Sequence, residues 1–184
     1  MLLKGKNNLT LETIAKLEEA LDFDIALHDN IFEGLNRRWA LLSATDGKRK
    51  NSMTIGWGGM GVMWERDVFF VMVRPCRYTY DILENTDTVT LSFFGDGYRK
   101  ELTYLGRTSG RDEDKLALCG LTPVQEGKDV YFEEAKLVLS GKIIAKMDLN
   151  SSDLVDETLE KHYPKRDYHR IYVCESTRAF TQND

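Results

Sequence analysis

The 184-residue chain is poor in cysteine and lacks several familiar chemical signatures. Its three cysteines, Cys76, Cys119 and Cys174, are odd in number and widely spaced. No pair has the short spacing of a zinc ligand set or a redox dithiol, so reduced thiols in a reducing compartment are expected. His28, His162 and His169 share no ligand-like spacing, and no metal site is expected. No serine sits in a glycine elbow of the hydrolase kind. No G-x-G-x-x-G follows a strand, which argues against a doubly wound dinucleotide-binding domain. No apolar run reaches the length of a membrane span, about 20 residues. The opening residues, Met1-Leu2-Leu3-Lys4-Gly5-Lys6, carry no apolar stretch of the signal-peptide kind. A cytoplasmic protein without membrane contact is the expectation.

An excess of positive charge is also missing. The net charge is −5, so the chain as a whole does not attract nucleic-acid phosphates, and no nucleic-acid partner is expected. Any anion site must be a local cluster. Lys48-Arg49-Lys50 and Lys165-Arg166 lie beside turn residues and read as solvated loop charge. What is present is ordinary for a globular protein: 42% hydrophobic and 30% charged residues. The length fits one domain with an added arm, and can bury a core without disulfides or metals. We place a helical arm at residues 1–34 and the main domain at 35–184.

Leu11, Ile14, Leu17 and Leu21 recur at helical steps, with Thr10 as a candidate N-cap. A short helix is expected from Ile31 to Arg37. Trp39 to Thr45 is a short apolar strand ending in Asp46-Gly47, a turn signal, and Ser52 to Trp57 returns from it. A glycine-rich stretch, Gly56 to Gly61, follows. Val68 to Val73 is the clearest strand, with the composition of one buried on both faces. Pro75 to Asn85 reads as a helix, Thr88 to Phe94 as a strand, and Tyr98 to Leu105 and Glu113 to Cys119 as helices. Ala135 to Ala145 alternates as a strand, with Gly141 at a bulge or bend. Ser151 to Lys161 reads as an amphipathic helix with Leu154, Val155 and Leu159 on its apolar side. His169 to Cys174 closes the chain as a strand. The expected class is mainly β with flanking helices, a decorated barrel rather than a doubly wound sheet.

Three segments can carry chemistry. Arg74-Pro75-Cys76-Arg77-Tyr78-Thr79 joins a strand to a helix. Unpaired backbone N–H groups at the helix start, two arginines and a threonine hydroxyl make a candidate phosphate site. Asn51-Ser52-Met53-Thr54-Ile55-Gly56-Trp57 combines donors and acceptors with glycine, as a planar heteroaromatic ring with polar edges requires. Read alone, it fits a hairpin with a core tryptophan better than a ligand site. In Ser109-Gly110-Arg111-Asp112-Glu113-Asp114-Lys115, Lys115 falls in a helix first turn, where the dipole disfavours a cation. That misfit points to an external partner for Lys115. Cys76, inside the arginine turn, has no evident base nearby and reads as a bystander.

These segments, in this order, resemble the flavin reductase-like family of FMN-binding split β-barrels, with the flavoredoxin branch nearest. Gly120-Leu121-Thr122-Pro123 and Tyr168 to Val173 extend the resemblance over about Leu35 to Phe180. The resemblance implies FMN as cofactor and a homodimer with flavin near the interface. Asn51, Ser52, Met53, Thr54 and Trp57 are then candidates for lining the ring. Arg74, Arg77, Tyr78 and Thr79 are candidates for the phosphate end, and Ser109 and Lys115 for closing the site. The implied reaction takes a hydride from NADH or NADPH to FMN and passes electrons to an acceptor. A flavoredoxin-like carrier serving a redox partner protein is the alternative. The chain departs from many relatives at Glu65-Arg66-Asp67, where they have proline, and its N-terminal helix has no family counterpart.

Overall fold

The computed structural model describes residues 31–181. The helix expected over Leu11 to Leu21 lies outside them. Chain order begins with a helical turn α1 (Ile31–Glu33) and a π-helical turn (Gly34–Arg38), then strands β1 (Ala40–Thr45), β2 (Lys50–Ile55), β3 (Gly58–Met63) and β4 (Arg66–Val73). Helix α2 (Tyr78–Leu83), strand β5 (Thr88–Phe93), helices α3 (Arg99–Arg107) and α4 (Lys115–Leu118), and the hairpin β6 (Pro123–Glu126) and β7 (Asp129–Phe132) follow. Two long strands, β8 (Leu137–Asp148) and β9 (Arg170–Thr181), flank two 3-10 turns, Ser151–Asp153 and Glu157–His162.

Seven strands form one antiparallel sheet in the order β2-β1-β5-β8-β9-β4-β3. Its two edge strands, β2 and β3, are consecutive in the chain, joined through Gly56 and Trp57. They form the two sides of the split in the barrel. One sheet face buries Leu42, Met53, Val71, Leu91, Leu139 and Tyr172 together with Ile82 and Leu83 of α2. The opposite face at β1 and β8 packs Leu41 and Val138 against Leu102 and Leu105 of α3, Leu116 of α4 and Phe132 of the hairpin. Each fully buried aliphatic side chain contributes about 1.5–3 kcal/mol.

The strand buried on both faces is β1, all six residues of which are buried. In β4 the pattern alternates: Phe69, Val71 and Val73 are buried, while Phe70 and Met72 are partly exposed. Helix α3 and the β6–β7 hairpin pack over β1 and not over β4, which the composition of β4 does not report. Strand β3 arises from the glycine-rich stretch and pairs with β4 through a turn at Trp64 and Glu65, whose φ values are 53° and 59°. That left-handed pair matches the hairpin twist without the usual Asn-Gly. At Gly141 the β8–β9 register shifts, as expected of a bulge, and a Cβ there would lie 2.5 Å from the Phe69 ring. The expected helix over Ser151 to Lys161 is instead the two 3-10 turns, and Val155 is 98% exposed. None of the residues from Ser151 to Lys161 is buried, so its helical periodicity buries no face. No helix of the described residues is long and apolar enough to cross a membrane.

Candidate functional site

Where the barrel splits, a cleft of about 460 Å3 opens between the end of β2, the Gly56-Trp57 link and the turn after β4. Its walls include Trp39, Met53, Thr54, Trp57, Met72, Arg74, Cys76, Arg77 and His169. Such a volume is within the usual range for a small-molecule site, about 300–1,000 Å3. Large flat and flexible apolar side chains on one part, and two guanidinium groups on another, suit a ligand with a planar ring and an anionic tail.

Five of the sequence candidates, Met53, Thr54, Trp57, Arg74 and Arg77, line this cleft directly. The two arginines differ. Arg74 donates to Asp167 Oδ1 at 2.8 Å and to the His162 carbonyl at 2.8 Å, and lies over the Tyr163 ring. It clips the segment before β9 across the cleft. The half-buried Arg77 guanidinium makes no hydrogen bond or ion pair to any described residue. It is the cation left free for an anion.

Asn51, Tyr78 and Thr79 meet behind the cleft, with Gly110, the neighbour of Ser109, against them. The buried Asn51 donates through Nδ2 to Thr79 Oγ1 at 2.8 Å. The Gly110 backbone presses against both Asn51 and Tyr78: a Cβ there would sit 2.5 Å from Asn51 Oδ1 and 2.7 Å from Tyr78 Cδ1. Ser109 accepts from the Arg111 N–H through Oγ. All three sequence segments therefore converge on one glycine. Ser52 points elsewhere, paired with Ser43 Oγ at 2.6 Å and fully buried. Thr54 donates to the Leu102 carbonyl of α3, which ties β2 to that helix.

Lys115 corrects its expectation. Its partners are internal: Nζ donates to the carbonyls of Leu105 at 2.8 Å and Thr108 at 2.9 Å. Although it opens α4, it serves the C-terminal end of α3, where a cation is favoured. Burial, then the nearby Arg77 charge, depress its pKa to about 8. The helix after the arginine turn also differs. It begins at Tyr78 and spans six residues, with no side-chain cap at Arg77. Its dipole is small, and positive charge in the turn comes chiefly from side chains.

Trp39 and His169 were not among the sequence candidates. Trp39 has φ 70° and ψ 161°, a region that costs a residue with a Cβ about 1–3 kcal/mol. The strained backbone turns its ring to the cleft wall, 3.1 Å beneath the Arg99 guanidinium. His169 is buried, with Nδ1 2.9 Å from the Tyr163 hydroxyl and its ring 5.0 Å from that of Trp57. Burial, then Arg74, depress its pKa to about 4, so it is neutral near pH 7. A lone histidine just before a strand carries no signal of this in the sequence.

A family model described as the flavin reductase like domain matches residues 32–183. Among solved structures, flavoredoxin from Methanosarcina acetivorans is 20% identical with a TM-score of 0.62, covering 78% of this chain and 68% of that one. Flavoredoxin of Desulfovibrio vulgaris (Miyazaki F) is 24% identical with a TM-score of 0.60, over 78% of this chain and 68% of its own. An NADH:FAD oxidoreductase from Streptomyces globisporus is 14% identical with a TM-score of 0.61, over 83% and 79%. No curated protein sequence matches the chain. These likenesses show the split-barrel fold. With the family match spanning nearly all described residues, the chain belongs to the flavin reductase-like family.

Proposed function

We propose that this protein is an FMN-binding oxidoreductase of the flavin reductase type, passing a hydride from NADH or NADPH to FMN and electrons onward to an acceptor. The observation that carries the reading is Arg77, a half-buried guanidinium without a hydrogen-bond or ion-pair partner among the described residues, at the rim of a ring-sized cleft. Lys115, buried on two carbonyls, lies near enough to add its charge to the field in which Arg77 would hold a phosphate. Trp57, Met53 and Met72 would flank the ring, and Trp39 would wall it from water. When bound, the flavin supplies the hydride-accepting chemistry, and the protein supplies position and electrostatics. His169, neutral and tied to Tyr163, orients Trp57.

A homodimer belongs to the same proposal. Edge strand β3 exposes Met60, Val62 and, at its tip, Trp64, beside the exposed Trp57 of the cleft. An apolar open edge of this kind needs a cover, and a second copy would place that cover against the cleft. A cytoplasmic location also belongs to it, resting on three free thiols. A second reading, an electron carrier with little nicotinamide turnover, is favoured by the two flavoredoxins among similar structures.

The deciding measurement is a visible spectrum of purified protein before and after FMN addition and desalting, followed by stopped-flow mixing with NADH or NADPH. Retained flavin bands and rapid bleaching are expected. Retained flavin without bleaching selects the carrier. Absence of any measurable FMN binding refutes both.

A further inference from the structure

The outer face of α3 carries a shallow, open depression, of about 480 Å3, lined by Arg99, Lys100, Thr103, Tyr104, Arg107 and Thr108. Lys100, Thr103, Tyr104 and Arg107 follow the i, i+3, i+4, i+7 pattern and share one stripe of the helix. No carboxylate lines this groove. That is unusual for this molecule, because many of its arginines meet an acid: Arg49 with Asp46, Arg66 with Glu175, Arg111 with Asp81, Arg170 with Asp148 and Arg178 with Glu126. Lys100 and Arg107 have no side-chain hydrogen bond or ion pair to any described residue. Arg99 donates to the Arg37 carbonyl at 2.7 Å and stacks on Trp39, and neither contact cancels its charge. In a chain of net charge −5, three cations share one depression, and the nearest carboxylate, Glu113, bonds the Tyr104 hydroxyl and not a cation. An anion bound there would meet all three.

The groove offers more than charge. The Tyr104 hydroxyl donates to Glu113 at 2.9 Å, which holds the ring as a flat face. The Thr108 hydroxyl has no partner among the described residues. Position adds the rest. At one end Arg99 lies on Trp39, whose ring walls the flavin cleft. At the other, Arg107 and Thr108 run into Ser109, and the Thr108 carbonyl binds Lys115. The groove thus adjoins the cleft at both its ring wall and its cationic side.

We propose that this groove binds the adenylate half of a dinucleotide, with its phosphate on Lys100 and Arg107 and its base against Tyr104. The inference rests on the flavin-oxidoreductase reading for its meaning in the reaction. Two molecules carry the same adenylate chemistry: the nicotinamide donor, and FAD used in place of FMN.

The test uses the full chain and begins with ADP, measured by calorimetry without flavin. The double variant Lys100→Ala, Arg107→Ala is compared with wild type and with Lys48→Ala, Lys142→Ala, which removes two exposed cations from other elements. ADP affinity is expected to fall at least tenfold in the groove variant and less than twofold in the charge-matched control. FMN affinity is expected to stay unchanged in all three proteins. Affinities for FAD, and for NADPH on flavin-loaded protein, then separate the sources. A selective loss for FAD assigns the groove to the flavin's own adenylate, a selective loss for NADPH assigns it to the donor, and a loss for both means that they compete. ADP that does not bind wild type, ADP binding that ignores the groove variant, or a groove variant that keeps full affinity for both dinucleotides overturns the proposal. Failure of FMN to bind any of the proteins would instead sink the flavin reading, because ADP binding is measured without it.

Discussion

Replacing each of the two cleft arginines by alanine separates binding from folding. The Arg77 guanidinium makes no hydrogen bond or ion pair to any described residue, so Arg77→Ala orphans no polar partner. Its effect on stability should stay within about 0.5 kcal/mol. A charge-assisted hydrogen bond to a phosphate contributes roughly 1.5–3 kcal/mol. At about 1.4 kcal/mol per factor of ten, FMN affinity should fall by roughly 10- to 150-fold. Arg74→Ala should do the reverse. It leaves Asp167 and the His162 carbonyl without their donor and removes a cation from the Tyr163 ring. With both ion-pair partners only about a quarter exposed, a loss of about 1–2 kcal/mol is expected. For a chain of this size that is roughly 2–8 °C in Tm. The assay is FMN titration by fluorescence quenching alongside thermal unfolding of flavin-free protein. FMN affinity unchanged in Arg77→Ala, or a Tm loss equal to that of Arg74→Ala, would refute the division of labour.

Gly110→Ala should cost about 1–3 kcal/mol by overpacking and weaken FMN binding, because the new Cβ meets Asn51 and Tyr78; chemical unfolding and FMN titration check both parts. The depressed pKa of Lys115 predicts that FMN affinity falls as pH rises through about 8, where the free protein loses that charge. Lys115→Met should bind FMN more weakly at pH 7 and lack this pH dependence. His169 titrates at about 4 in the folded chain and at 6.5 ordinarily, so the unfolded state takes the proton first. Stability should therefore rise with pH across that window and be lost as pH falls through it. The contribution is at most about 3 kcal/mol, and urea unfolding should show it diminished in His169→Gln. Of the three thiols, exposed Cys76 should react rapidly with a disulfide reagent in the native state, and more slowly once FMN fills the cleft that it lines. Cys119 and Cys174 should react only on unfolding, since both are buried and the Cys174 thiol is pushed up to about 12.

Much of the barrel could be read directly from the residues. The apolar runs around Leu42, Val71 and Leu91 and the turn at Asp46-Gly47 carry local signals, and the corresponding strands are present. The Gly141 bulge is equally local, because a glycine within an alternating strand marks a place where a Cβ cannot go. Strand β3 and the β6–β7 hairpin were not legible. A glycine-rich strand has no β-branched periodicity, and its pairing depends on Phe70 closing over Gly59 from the next strand. The segment from Ser151 to Lys161 differs in the other direction: its helical spacing is real, but the folded chain buries none of its residues.

The three chemical segments were likewise visible as sequence, since clustered arginines beside proline, or asparagine and threonine near glycine, announce themselves by type. Their roles within the site were decided by contacts between distant positions. Arg74 and Arg77 are three residues apart and look equivalent, yet only Asp167, 93 residues beyond Arg74, claims one of them. Lys115 looked misplaced in its own helix until α3 delivered two carbonyls to it. His169 reaches the cleft because β9 pairs with β4, and Trp39 because a strained backbone turns it there. Local residue types determine which elements form and which chemistry is available. Only the assembled sheet determines which cation keeps a partner among the described residues and which is left for a ligand, because that depends on charges brought together from distant parts of the chain.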